Sequence, residues 1–168
     1  MVLEMEIEYL KKLRDNPAAY PNDTDYKDEI SGISEVEITQ LEQLYNNGNP
    51  FPKALKELLF LAGESCYVLA YLNDSQQAMQ NYVRNQLQKR SLEIARPFFA
   101  IDVYNSSDQC LIVYLDEGED PIVYSVFYDF QDYDPNDYPE VQFITPLKKL
   151  SAYINSGIED VKNGFNPF

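Results

Sequence analysis

A chain of 168 residues, 45% of them apolar, is long enough for one domain with a core of its own, and no apolar run approaches the ~18–20 residues that cross a bilayer. Its 28 acids against 13 bases leave a net charge of −15, which sets it against nucleic acid and anionic membrane surfaces. Histidine is absent, which excludes Ser-His-Asp and Cys-His catalysis, HExxH zinc sites and the commonest general base near neutral pH, and leaves an enzyme only carboxylates, tyrosines or a bound metal.

The first fifteen residues, MVLEMEIEYLKKLRD, have no basic leader ahead of an apolar core. They are read as an amphipathic helix over about 3–14, with Leu3, Ile7, Leu10 and Arg14 at helical spacing, and not as a signal peptide. NPAAYPNDTD (16–25) breaks that helix, so residues 1–30 are expected to form an N-terminal helical extension and 31–168 a single domain. Ser34-Glu35-Val36-Glu37 is a capping box that opens a second helix with the stripe Ile38, Leu41, Leu44, Tyr45. NNGNP (46–50) ends it. Pro52 then opens a third helix, with Leu55, Leu58, Leu59 and Ala62 inward and Gly63 as its C-cap.

SCYVLAYL (65–72) is aromatic and β-branched enough to predict a strand. Residues 73–75 (NDS) cap a polar helix over about 75–92, with Met79, Tyr82, Val83, Leu87 and the stem of Arg90 on its inner face, and Arg96-Pro97 marks the stop. Strands follow at 98–104, 109–116, 122–130 and 141–145, spaced as an antiparallel meander. In the third, Ile122, Tyr124, Val126 and Tyr128 alternate with Val123, Ser125, Phe127 and Asp129. Thr145-Pro146 predicts the start of a closing helix with Leu147, Leu150, Tyr153 and Ile154 inward, ending at Ser156-Gly157. The fold class is therefore α+β: N-terminal helices packed on a mainly antiparallel meander sheet, with a closing C-terminal helix.

Charge is distributed unevenly. Residues 1–96 hold 15 acids and 10 bases, residues 97–147 hold 11 acids and no base, and residues 148–168 hold 2 acids and 3 bases. The densest part is FYDFQDYDPNDYP (127–139), with four aspartates, three tyrosines and two phenylalanines. Asp132, Asp134 and Asn136 stand at the first, third and fifth positions of a calcium loop, but Asp137 replaces the glycine of the sixth and Phe143 the glutamate of the twelfth. The EF-hand reading therefore fails, and a weak non-standard divalent site is all that stays open. Paired carboxylates for glycoside hydrolysis could be assembled from any chain with 28 acids. Asp102 and Asp129 are more simply read as outward-facing or as satisfying backbone turns. Tyr104, Tyr114, Tyr124 and Tyr128 are read as sheet-packing residues, whereas Tyr133 and Tyr138 either fold back over the sheet or stand out as contact anchors. The six glycines are isolated, so there is no phosphate-binding loop. Cys66 and Cys110 lie in apolar runs without a CxxC partner, and are read as reduced, buried thiols of a cytoplasmic protein, with a disulfide between adjacent strands as the lesser alternative.

SGISEVEITQLEQLYNNGNPFPKALKELLFLAG (31–63) resembles the signature of the SUKH superfamily, which includes the fungal cell-wall assembly and glucan-synthesis regulators. Phe51-Pro52, Leu55, Leu58, Leu59, Ala62 and Gly63 fill its second helix and turn. PFFAIDVYNSSDQCLIVYLDEGEDPIVYSVFYD is similar to the family's core hairpins, and LKKLSAYIN to its closing helix, so that the resemblance covers roughly 31–158. The chain departs from the pattern at Gly63-Glu64, where many members have paired glycines, and at Ser106-Ser107-Asp108-Gln109, where many have a Gly-Asp or Gly-Asn turn. The resemblance implies a non-catalytic binding role, with no cofactor and no metal. Bacterial members are viewed as immunity proteins that block a toxin domain, often a nuclease, and fungal members as regulatory interaction modules. The expected partner is then a basic protein domain, not nucleic acid or membrane. Asp116, Glu117, Glu119, Asp120, Asp132, Asp134, Asp137 and Glu140 are the expected charge donors, with Tyr133 and Tyr138 as anchors. The alternative is a regulatory interaction module without a toxin partner.

Overall fold

The computed structural model describes residues 5–18, 29–105 and 107–165. In chain order its elements are α1 (Lys11–Asp15), α2 (Glu35–Tyr45), α3 (Lys53–Ala62), α4 (Gln76–Lys89), β1 (Phe98–Tyr104), β2 (Gln109–Tyr114), β3 (Ile122–Phe127), a 3-10 turn (Phe130–Asp132), β4 (Ile144–Lys149) and α5 (Leu150–Lys162). The four strands form one antiparallel sheet in the order β1-β2-β3-β4, so the α+β class and the meander are as expected.

The sheet is apolar on both faces, and each face has its own helical cover. On one face Phe99, Ile101, Leu111, Val113 and Val123 meet α3 and α5 through Leu55, Leu58, Leu59, Leu150, Ile154 and Ile158. On the other, Phe98, Ala100, Cys110, Ile112 and Val126 meet Met79, Val83 and Leu87 of α4. β1 is an edge strand, and α4 also closes its polar groups. The buried Gln80 carboxamide accepts from the amide of Ala100 at 2.8 Å and donates to its carbonyl at 2.7 Å, standing in for a neighbouring strand beside the bulge between Ala100 and Asp102. Burial pushes both thiols, Cys66 and Cys110, up to about 12, so neither is a reactive nucleophile.

Several sequence expectations change here. The N-terminal helix is only Lys11–Asp15; Leu3 lies outside the described residues, Leu13 is buried, and the exposed Arg14 pairs with Asp15. Before α1 the chain is irregular, because the buried Glu57 carboxylate collects three consecutive amides there, those of Glu8, Tyr9 and Leu10. Ile7, Leu10 and Leu13 join the core under α3 and α5, and Lys12 pairs with Glu159 of α5. On α2, Ser34 caps the amide of Glu37 at 3.1 Å, but Leu44 is exposed and the buried position beside Leu41 is Glu42, which accepts from the amide of Phe51.

Residues 65–72 form no strand of the sheet; apart from a single bridge between Ser31 and Ser65 they are irregular. Their apolar composition reports burial between α5 and the sheet. Cys66, Tyr67, Val68 and Leu69 are buried, and a Cβ on Gly157 would lie 3.1 Å from Val68, which is why a glycine continues α5 past the expected end. Gly63 has φ −67°, so it is not a left-handed cap; its own Cβ would meet the Leu59 carbonyl oxygen at 2.5 Å. The polar helix α4 ends at Lys89, where Ser91 takes φ 54°, ahead of Arg96-Pro97. Thr145-Pro146 belongs to β4, where an edge position tolerates proline, and Leu147 is exposed. The closing helix begins instead at Leu150, and its first turn is capped from another loop: Asp120 accepts from the amide and the hydroxyl of Ser151, at 3.0 and 2.6 Å.

Candidate functional site

The acidic block is continuous in sequence and divided in space. Its two turns flank β3, whose six residues span about 17 Å at the usual strand rise. The structure therefore places Asp116, Glu117, Glu119 and Asp120 at one end of the sheet, and Asp132, Asp134, Asp137 and Glu140 at the other.

The β2–β3 turn is used internally. Arg96 donates to both carboxylate oxygens of Asp116, at 2.5 and 3.3 Å, and this bonding holds the carboxyl below its usual range. Glu117 lies 3.5 Å from the same guanidinium and accepts from the hydroxyl of Tyr124 at 2.8 Å. Asp120 caps α5, and the main-chain carbonyl of Glu119 accepts from the amide of Ala54 at the start of α3. Asp116 and Glu119 are exposed, while Glu117 and Asp120 are partly buried.

The β3–β4 connection has the opposite character. All ten residues 131–140 are exposed. The segment is nonetheless ordered by its own bonds. Its base is clamped where the amide of Phe127 donates to the carbonyl of Phe143, where Phe130 stacks on Phe143 at 5.2 Å, and where Arg90 of α4 donates to Asp129 at 2.7 Å. Tyr128 is buried beneath Arg90. At the tip Asp134 makes a turn of its own, its side chain accepting from the amide of Asn136 and its carbonyl from the amides of Asp137 and Tyr138. Tyr133 packs on Phe127 of the sheet at 5.6 Å, and Tyr138 meets Tyr133 edge-on at 5.3 Å and 88°. The two tyrosines are thus anchored to the sheet and still present surface, 40% and 48% exposed. Among the described residues no lysine or arginine pairs with Asp132, Asp134, Asp137 or Glu140. Nor is there, among the described residues, a group of three or more carboxylates or thiols that could hold a metal ion.

The buried acids serve the backbone. Glu42 and Glu57 hold the amides named above, and Asp102 accepts from the amide of Tyr71 at 2.9 Å. Asp102 is 4% exposed, and desolvation pushes it up to about 6. Of the readings drawn from sequence, Asp102 satisfies a backbone amide instead of pointing outward. A cleft of about 660 Å³ opens between α2 and the start of α4, lined by Leu41, Leu44, Tyr71, Met79, Glu37 and Asp74 among others, and none of these three buried acids lines it. The arginines were the part that sequence reasoning missed: Arg90 and Arg96 lie outside the base-free block in sequence, yet reach into it and neutralise Asp129 and Asp116.

Comparison with family models, curated proteins and solved structures finds no match for the chain. No helix among the described residues is long and apolar enough to cross a membrane.

Proposed function

We propose that the chain is a non-catalytic binding protein of SUKH-like type, which neutralises a cognate toxin in the cytoplasm by stoichiometric contact through its β3–β4 connection. The observation that carries this reading is the run 131–140: exposed along its whole length, held in shape by its own bonds, and presenting four carboxylates and two anchored tyrosines without a base. A nuclease or similar toxin domain is basic because it must hold phosphates, and a focused acidic surface would steer it and speed association at low salt. Tyrosines with restricted rings add contact area at small entropic loss. The β2–β3 acids take a lesser part in this reading, since Arg96 and α5 already occupy them.

Co-expression with toxin domains encoded beside its gene tests the reading. Growth should be restored, with a stoichiometric complex whose affinity falls as salt rises. Rescue from none of them removes the immunity role. A salt-sensitive complex with a host regulatory protein, lost on reversing Asp132, Asp137 and Glu140, would support the regulatory module instead.

A further inference from the structure

The chain treats its own arginines in one recurring way. Three of its four arginines lie over aromatic rings: Arg84 between Tyr45 and Phe98 at 4.5 and 4.3 Å, Arg90 over Tyr128 at 5.1 Å, and Arg96 over Tyr114 at 3.9 Å. Two of these also reach a carboxylate beside the ring, Asp129 for Arg90 and Asp116 for Arg96. Ring and carboxylate together suit guanidinium, which is planar, weakly hydrated and able to stack and fork at once, whereas a lysine ammonium is a strongly hydrated point charge. Among the described residues no lysine is stacked in this way.

The tip of the β3–β4 connection has the same two parts and no arginine of this chain. Tyr133 and Tyr138 are exposed, Tyr133 held by Phe127 and Tyr138 by Tyr133, with Asp132, Asp134 and Asp137 beside them in the chain. We propose that this surface takes arginine side chains of a basic protein partner, a guanidinium lying on the outer ring, Tyr138, and bonded to a neighbouring aspartate, and that it discriminates arginine from lysine. The inference rests on the binding reading above and sharpens it, from a basic partner to one whose contact segment is arginine-bearing.

The test compares nona-arginine with nona-lysine, equal in charge, titrated against the full chain at matched ionic strength, with tyrosine ring signals followed by NMR. The expected result is tighter binding of nona-arginine by about three- to tenfold, with shifts at the Tyr133 and Tyr138 rings. Tyr138→Leu, and Tyr133→Leu with Tyr138→Leu, should abolish the preference while leaving nona-lysine affinity within about twofold, since the aspartates remain. The single variant touches only the outer ring, so it keeps the comparison available if the double variant does not fold. Equal affinity for the two peptides, or an arginine preference that survives Tyr138→Leu, overturns the inference and leaves the acidic-surface reading standing. Binding of neither peptide overturns both.

Discussion

The carboxylate of Glu57, in the middle of α3, accepts the main-chain amide of Leu10 at 3.0 Å, forty-seven residues away in sequence. The same oxygen takes the amides of Glu8 and Tyr9, so one fully buried side chain supplies the hydrogen bonds that the segment entering α1 would otherwise lack. Lys53 stands 3.8 Å from its second oxygen. Glu57→Ala leaves three amides without an acceptor at the edge of the core. It should lower the unfolding free energy by about 3 kcal/mol or more, measured by urea denaturation. An unchanged midpoint would show that the N-terminal segment is not held by this contact.

Asp102 yields a prediction with a definite sign. Its folded value of about 6 lies above the value near 3.8 of an exposed aspartate, so the folded state binds the proton more tightly. The contribution of this group is therefore fully present below about pH 4 and is lost as pH rises through 6. Protonated, it fits its apolar site; ionised, it has no basic partner there among the described residues, and Cys66, Tyr71, Tyr104, Cys110 and Tyr153 all feel its charge. Asp102→Asn keeps an oxygen for the amide of Tyr71 and removes the charge. It should be more stable than the parent at pH 8, by up to about 3 kcal/mol, and equal to it near pH 4. Parallel stability curves for the two proteins across that range would refute the assignment.

Gln80 closes the open edge of β1, and its two bonds to Ala100 are buried with it. Arg84 also donates to the same oxygen at 3.1 Å. Gln80→Ala should cost roughly 2–4 kcal/mol, by leaving an amide and a carbonyl unpaired at 0% exposure. Hydrogen exchange reports the effect locally: the amide of Ala100 should lose protection before those of β2 do. Uniform protection loss across the sheet would mean that the bond is not what holds the edge.

How much of this was readable in the residues differs by element. β1, the start of β2 and the start of β3 stood out because alternation and turn residues act locally, and Ser34 and Ser75 cap the helices they were expected to cap. The misreadings share a cause: the partner lay far away in sequence. The segment before α1 is irregular because Glu57 satisfies its amides, α5 starts at Leu150 because Asp120 caps it, and 65–72 is apolar because it is enclosed by α5 and the sheet. At the candidate site the residue types were legible and the grouping was not. A stretch without a base looks like one surface until the chain turns back on itself, which puts β3 between its halves and lets Arg96 and Arg90 in from outside.

That division predicts opposite outcomes for the same kind of substitution. Asp120 holds the first turn of α5 through two bonds, so Asp120→Ala should cost about 1–2 kcal/mol, the usual loss for a helix cap. Asp132, Asp137 and Glu140 are exposed and unpaired with any base among the described residues, so changing all three to lysine should shift stability by no more than about 0.5 kcal/mol each. It should even relieve repulsion, since the net charge moves from −15 to −9. Partner association should respond in the reverse order, with the triple lysine variant losing both on-rate and salt dependence, and Asp120→Ala keeping both once folded. Thermal unfolding alongside stopped-flow association at two ionic strengths separates the cases. If the triple variant instead unfolds and Asp120→Ala abolishes association without loss of stability, the contact surface lies at the β2–β3 end, and the assignment of the two turns must be exchanged.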